Sequence, residues 1–297
     1  MRCRVAACDT MGPAEVNRNT MTTAIPRRLG AWLVAILLAL ALGAALANWV
    51  FGRDDSLRLV QRVGVLRVGY SVEPPFAWVS PDGTVAGQSA GAAAEVARAL
   101  GLKIVWVQTA LDRQIPDLLA GRFDVIGAGL FVSPERAKQV RFSIPTLRVR
   151  PAYLTRATAP APTLQALHDG LNLAVVRGSA AEQRLMSLDL GEHLFRVPDV
   201  QTGVAGLRRG QYDALALPWP AGRALAAGRA VDLTAWPATD GRPTFEVALA
   251  FRPRDRALAV AADAALAPWL QGPSYRELLG RLQLTPDDLP LPVGSAP

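Results

Sequence analysis

The sequence predicts an α/β fold built as two lobes. Apolar, valine-rich segments of strand length alternate with helix-like segments that end at glycine, and this alternation is typical of α/β units. It begins near residue 60, pauses near residue 150 and then starts again. Of the 297 residues, 51% are apolar, which is enough to bury a core in each lobe.

The first block of alternation predicts a lobe that starts with a buried strand. Residues 65–70 form a valine-rich run that a pair of prolines soon follows, as expected for such a strand. Residues 90–100 are rich in alanine and stop at Gly101, which is typical of a helix end. The other predicted elements are strands at 103–107 and 124–127, a helix at 111–120 and a crossing strand at 151–155.

The second block repeats the pattern and predicts the second lobe. Its predicted helices are 163–168, 179–188 and 200–209, and its predicted strands are 171–176, 193–197 and 213–217. Ser179 is placed to cap the helix that follows it. A returning strand at 245–251 and helices at 254–270 and 274–282 complete the chain.

The amino-terminal region contains an uncharged apolar segment, residues 31–51, directly after Arg27 and Arg28. The segment is long enough for a transmembrane anchor. It also fits a signal peptide cleaved after Ala47. Both interpretations remain open, and in both the positive flank places the rest of the chain outside the cytoplasm. Met21 is an alternative start to Met1.

Composition excludes several classes of site. The net charge is +7, but no basic cluster with interleaved aromatic residues indicates a nucleic-acid partner. Cys3 and Cys8 both precede the apolar segment, so the globular part has no disulfide or thiolate metal site. His168 and His193 are too far apart in sequence to form a helical pair. We therefore expect no metal and no cofactor.

Short motifs in a fixed order carry a resemblance to a known family. They are 64–69 (GVLRVG), 74–76 (PPF), 121–129 (GRFDVIGAG), 133–138 (SPERAK), 142–145 (FSIP), 175–179 (VVRGS), 210–214 (GQYDA) and 272–280 (GPSYRELLG). In this order they resemble family 3 of the bacterial extracellular solute-binding proteins, the group that includes polar amino acid receptors of ABC transporters. The resemblance extends over nearly all of residues 60–283.

The resemblance implies a type II periplasmic-binding fold, in which two α/β lobes joined by two crossing strands close around a ligand. The implied segments are 1–30 as a lead, 60–150 completed by 250–285 as the first lobe, 156–243 as the second lobe and 286–297 as a tail. The hinge would lie near 150–155 and 244–250. The expected partners are a small-molecule ligand and the permease subunits of a transporter, with contact to the membrane through the amino-terminal segment. We expect a monomer.

The central candidate of the binding site is Arg136. The resemblance implies that its guanidinium holds the ligand's carboxylate, for which two parallel hydrogen bonds suit a guanidinium; a surface arginine is the alternative. Phe76 matches an aromatic that packs on the ligand, or else it is a core residue. Glu73, after the first strand, could pair with a cation, or else it is a solvated acid.

Other candidates lie beside these. Ser179, after Gly178, offers backbone N–H groups at a strand-to-helix turn that could bind an anion, and Gly129 and Phe131 precede the arginine. Trp219 could present a stacking face to an aromatic or apolar ligand.

The chain also departs from the family pattern. Pro218 stands where amino acid receptors have an aspartate for the ligand ammonium, and Phe131 and Ala180 replace hydroxyl residues of the carboxylate site. Ser89 and Gly91 replace an acidic pair. We therefore expect a ligand that is not a standard α-amino acid, or one that is bound differently.

Two other functions are weighed against transport. Similar domains occur in membrane-tethered sensors, and an anchor at 31–51 would fit that role. Cyclohexadienyl dehydratases share the fold, but the acid that they carry in the second lobe would fall within 214–231, which contains neither Asp nor Glu. We expect a binding protein that is not an enzyme.

Overall fold

Two five-stranded sheets frame the part of the chain that the computed structural model describes. The described residues are 36–43, 54–186, 191–227, 232–238 and 244–284. Residues 1–53 form a unit separate from 54–297, and within it residues 36–43 are helical (α1). The rest of the predicted apolar segment 31–51 lies outside the described residues. Within these ranges, no helix is both long and apolar enough to cross a membrane.

The strands follow the chain from lobe 1, the half that contains the first sheet, to lobe 2 and back. They are β1 (Val65–Tyr70), β2 (Trp78–Val79), β3 (Val85–Ala86), β4 (Lys103–Gln108), β5 (Val125–Ile126), β6 (Arg141–Phe142), β7 (Leu147–Val149), β8 (Pro151–Arg156), β9 (Leu173–Val176), β10 (Leu194–Val197), β11 (Ala214–Pro218), β12 (Leu233–Pro237), β13 (Phe245–Val247) and β14 (Ala250–Phe251).

The helices cover the sheets. They are α2 (Ser56–Val63), α3 (Gln88–Ala99), α4 (Gln114–Leu119), α5 (Pro134–Ala137), α6 (Leu164–His168), α7 (Ala180–Met186), α8 (Val200–Arg208), α9 (Trp219–Ala226), α10 (Arg256–Gln271) and α11 (Pro273–Arg281). Short 3₁₀ turns lie at Leu111–Arg113 and Gly191–His193.

The two sheets have related arrangements. Lobe 1 has the order β4-β1-β5-β14-β6, with β1 parallel to β4 and β5 and with β14 antiparallel to its neighbours. Lobe 2 has the order β10-β9-β11-β8-β12, with β9 parallel to β10 and β11 and with β8 antiparallel to β11 and β12. The loops after the parallel strands of each lobe therefore emerge at one edge of its sheet, where ligands bind in open α/β sheets.

Strands β7 and β13 connect the lobes and pair with each other. They are antiparallel, with Phe245 opposite Val149 and Val247 opposite Leu147. The predicted crossing strand at 151–155 was therefore misplaced. Residues Pro151–Arg156 form β8, which lies inside the second sheet because its backbone pairs with β11 on one side and with β12 on the other. The predicted limits of the two lobes stay a prediction.

Several elements were missed in the sequence. The main ones are α2, the β2–β3 hairpin, α9 and β12. Helix α9 begins directly after Pro218 and has Pro220 in its first turn, a position where proline is tolerated because its missing N–H has no helical partner.

Candidate ligand cleft between the lobes

The loops that follow the parallel strands of both lobes meet across a cleft. Gly178, after β9, adopts a φ of +78°, and a Cβ atom added to it would lie 2.6 Å from the Cα of Asp112 in lobe 1. On the same turn, the carbonyl oxygen of Gly178 accepts a hydrogen bond of 2.7 Å from Nη2 of Arg136. The two lobes are therefore in direct contact in this structure.

A small inner pocket lies behind this contact. Its volume is about 20 Å³, close to the space that one water molecule needs, about 10–15 Å³ on the same measure. Side chains from both lobes and from the connecting strand β13 line it, and most of them are apolar. They are Glu73, Phe131, Pro151, Val176, Ser179, Ala180, Ala181, Ala216, Leu217, Pro218 and Phe245.

A larger outer groove adjoins the inner pocket. Its volume is about 610 Å³, within the range of about 300–1,000 Å³ that is usual for small-molecule sites. It is lined by residues after β1 and β4 in lobe 1 and after β9 and β10 in lobe 2, namely Ser71, Val72, Glu73, Gln108, Thr109, Ala110, Leu111, Val176, Pro198, Asp199, Val200 and Gln201. Glu73 and Val176 line both spaces, so they mark where the groove meets the pocket.

Glu73 is buried at this junction, with 5% of its surface exposed. The alternative of a solvated loop acid was therefore wrong. A tight turn fixes the residue, because its backbone N–H donates to the carbonyl of Ala77 and its own carbonyl accepts from Phe76. Burial raises the pKa of the Glu73 carboxyl to about 7, and the positive charge of Arg136 opposes this rise.

Arg136 is also buried, with 3% exposure, so the alternative of a surface arginine was wrong. It lies in α5, where Ser133 caps the helix by accepting from the backbone N–H of Arg136. Its Nη1 donates to the carbonyl of Phe131 at 2.9 Å, in addition to the Nη2 bond to Gly178. Burial lowers the pKa of Arg136 to about 10, opposed by the charges of Glu73 and Glu135. Its binding to a ligand carboxylate stays a prediction.

The aromatic side chains form a cluster beside the inner pocket. Phe131 lines the pocket, and its ring meets that of Phe76 edge-on at 5.9 Å and that of Phe245 at 5.7 Å. Phe76 is fully buried behind it and lines neither space. The interpretation of Phe76 as a core residue therefore fits the structure, and direct contact with a ligand in these spaces does not.

Gly129 supports this cluster from outside both spaces. Its φ is +70°, and an added Cβ would lie 2.6 Å from Cγ of Phe76. Its N–H donates to the hydroxyl of Ser89 at 3.0 Å. The position therefore needs glycine for packing, and a direct contact of Gly129 with the ligand stays a prediction.

Ser179 lines the inner pocket as a helix cap. Its hydroxyl oxygen accepts from the N–H of Glu182 at 3.1 Å, which confirms the predicted cap of α7. The N–H of Ser179 donates to the carbonyl of Val176, and that of Gly178 donates to the Glu182 carboxylate. These N–H groups therefore have protein partners, contrary to the expected anion site.

Trp219 does not line either space. It is the first residue of α9, and its N–H donates to the carbonyl of Arg150 at 2.8 Å. Its neighbour Pro218 reaches the pocket instead. A stacking face at Trp219 stays a prediction.

The polar residues of the groove that were missed in the sequence include Ser71, Gln108, Thr109 and Asp199. Each stands at the end of a predicted parallel strand or within two residues of one, and this position was the available signal. The hydroxyl of Ser71 accepts from Nε2 of the buried Gln114 at 2.7 Å, so its own proton stays free to donate.

This cleft between two α/β lobes coincides with a match to a family model over residues 66–281, which covers both sheets and the connecting strands. The chain belongs to the bacterial extracellular solute-binding proteins, family 3. The family resemblance and the fold class predicted from the sequence are thereby confirmed.

Relatives and solved structures agree with this membership. A probable amino-acid ABC transporter periplasmic-binding protein of Sinorhizobium fredii is 37% identical over 38% of this chain and 37% of its own length. The cyclohexadienyl dehydratase of Pseudomonas aeruginosa is 34% identical over 39% of this chain and 43% of its own length. The match thus spans about two fifths of these curated relatives.

The fold itself is shared over a longer stretch. A mutant of ArgBP from T. maritima superposes with a TM-score of 0.71 at 27% identity, covering 77% of this chain and 99% of the other.

Proposed function

We propose that this protein is the extracytoplasmic substrate-binding component of an ABC transporter, and that it captures an amino acid or a related amine between its lobes. The observation that carries the proposal is the chamber between the lobes, by which we mean the inner pocket and the outer groove together. Loops of both lobes line it, and the buried, ionisable Glu73 stands where its two spaces meet. ArgBP from T. maritima, a similar structure, is described in an arginine-bound form, which supports an amino acid or related compound here.

Hinge closure provides the mechanism. The paired strands β7 and β13 connect the lobes, and a rotation there would separate Gly178 from Arg136 and open the chamber. Closing again removes water from the ligand and from Glu73. Burying a charge is costly unless an opposite charge meets it, so closure would favour a ligand that complements the chamber.

The predicted role of Arg136 fits this cycle. When the lobes separate, its Nη2 loses the Gly178 carbonyl and becomes available to another acceptor. A ligand carboxylate would satisfy that donor with a charge-assisted hydrogen bond. In this proposal the guanidinium holds either the second lobe or the ligand.

Binding without chemistry is the activity that we infer. The stretch 214–231 of lobe 2, which should contain the acid of a dehydratase, contains no Asp or Glu, and that chemistry needs a positioned proton donor. Incubation with prephenate or arogenate, followed by chromatography, separates the two functions. Formation of the dehydrated product would favour the enzyme.

Location follows from the same proposal. The chain would work outside the cytoplasm, with its amino-terminal segment either removed or retained as an anchor, and mass spectrometry of the terminal peptide distinguishes the two. Co-purification with permease subunits tests the transporter partner.

The direct test is native mass spectrometry of the purified full-length chain, followed by thermal unfolding with a library of amino acids, organic acids and amines. A ligand at 100 times its Kd stabilises the folded state by about 2.7 kcal/mol, and this raises the melting temperature by a readily measured amount. If no solute travels with the chain and none raises its melting temperature, the proposal is wrong.

A further inference from the structure

The charges that line the outer groove all have one sign. Its charged side chains in the described part of the chain are the carboxylates of Glu73 in lobe 1 and Asp199 in lobe 2. Asp199 is exposed, and its Oδ1 caps α8 by accepting from the N–H of Thr202 at 2.7 Å. The remaining polar lining consists of neutral hydroxyl and amide groups. Charge complementarity therefore favours a positively charged occupant.

Glu73 is the buried charged group of the groove, and its carboxylate has no partner among the described residues. No hydrogen bond or ion pair joins its carboxylate to any residue that the structure describes, although 95% of its surface is buried and its side chain lines both spaces. Arg136 acts on it through charge, but two of the guanidinium's donors are already bound to the carbonyls of Phe131 and Gly178. A buried carboxylate of this kind is stabilised most by a cation that contacts it directly.

The sizes of the two spaces decide where a solute fits. The inner pocket of about 20 Å³ holds roughly one water molecule, whereas the groove of about 610 Å³ holds a small organic molecule. In the closed arrangement, a solute therefore occupies the groove and reaches the pocket only at Glu73. The carboxylate of the solute, if it has one, has no positively charged side chain along the groove wall.

On the basis of the proposed function, we propose that the groove recognises its solute through a cationic group that binds Glu73, so that an organic cation binds whether or not it carries a carboxylate. Lining groups add hydrogen bonds to this contact. The Ser71 hydroxyl is oriented by Gln114, and the Thr109 hydroxyl donates to Asp117 at 2.5 Å, which leaves its oxygen to accept from an ammonium or guanidinium.

The test is isothermal titration calorimetry on the full chain with two matched sets of probes. Arginine is a guanidinium cation that carries a carboxylate, agmatine is a guanidinium cation without a carboxylate, and 5-ureidopentanoate has a carboxylate but no cationic group. Lysine, cadaverine and hexanoate repeat the comparison with an ammonium. In at least one set, the first two compounds should bind within tenfold of each other, and the compound without a cationic group should bind at least tenfold more weakly.

Two variants locate the effect. In Glu73→Gln, the ratio of the affinities for probes with and without a cationic group should fall at least tenfold. Glu73→Asp, which keeps the negative charge, should retain this ratio but bind the cations more weakly. The matched control is Glu277→Gln, which removes an exposed carboxylate of the same lobe that lines neither space, and it should leave the affinities unchanged.

The outcomes separate this inference from the proposed function. 5-Ureidopentanoate binding as tightly as arginine, or agmatine failing where arginine binds, would overturn the inference and leave the proposed function in place. So would a neutral or anionic solute found by native mass spectrometry if all six probes fail. If neither the probes nor the solute library bind, the proposed function itself fails.

Discussion

Replacing Glu73 by glutamine should stabilise the ligand-free protein at neutral pH while it weakens the binding of cationic ligands. The carboxyl has a pKa of about 7 in the folded chain against an ordinary value of 4.5, because burial disfavours its charged form. At about 1.4 kcal/mol for each pKa unit, ionised Glu73 costs the fold about 3 kcal/mol above pH 7. Glutamine avoids this cost but leaves Arg136 without its opposing charge, so we expect a net gain of about 1–3 kcal/mol.

The direction in which the free energy of unfolding changes with pH shows whether ionisation of Glu73 causes the difference in stability. Between pH 4.5 and about 7, the unfolded chain releases the Glu73 proton before the folded chain does. Because the folded state then binds more protons, the free energy of unfolding of the natural chain falls as pH rises through this window. Below it the carboxyl is neutral in both states, and the advantage of the variant should disappear.

The assay is urea unfolding of the natural chain, of Glu73→Gln and of the exposed control Glu277→Gln, at about pH 4, where the linkage is nearly absent, and at about pH 8, where it is nearly complete. The gain should appear only for Glu73→Gln and only at the higher pH. An equal difference at both pH values, or a loss of stability at pH 8, would refute the reasoning.

Three further outcomes are expected. Arg136→Met should lower the free energy of unfolding by about 2–4 kcal/mol, because it leaves two carbonyls without their donor and Glu73 without its opposing charge. In the same urea unfolding experiment, Arg98→Met, which breaks the surface ion pair of Arg98 with Glu95, should lower it by under about 1 kcal/mol. Gly178→Ala should weaken ligand binding by calorimetry more than Gly210→Ala, since both have positive φ but only the first Cβ would meet the opposite lobe; equal effects would argue against closure. Cation affinity, measured from about pH 8 down to pH 5.5, should fall below about pH 7 because Glu73 takes up a proton, and a constant affinity would contradict its role.

The backbone framework was largely predictable because its signals are local. The run at 65–70 gave the exact limits of β1, because a valine-rich stretch in which Arg67 is the one charged residue fits the interior of a parallel sheet. Helix α3 begins two residues before its predicted start and ends at Ala99, next to the expected glycine stop. Helix α9 was missed because a proline in a first turn and a proline in a loop have the same local signature.

The sequence predicted some of the residues that belong to the site, but not how they are arranged in space. The motif around Arg136 placed a buried guanidinium between the lobes, but its bond to Gly178 depends on how the lobes meet, which short-range patterns do not determine. The same holds for Phe76: a single aromatic after a strand fits a pocket wall and a core equally, and only the ring of Phe131 in front of it decides. The groove residues after β4 and β10 come from segments far apart in sequence, so only the assembled fold brings them together.

Phe131 has a second attachment besides its place in the pocket wall. Its backbone bridges to Val247, and its ring packs on Phe245, both in β13. A ligand group that displaces the Phe131 ring would therefore also displace β13, one of the two strands about which the lobes are proposed to rotate. Occupation of the inner pocket and bending of the hinge are then coupled through Phe131, so the bulk of a solute at the inner pocket would set how far the lobes can close.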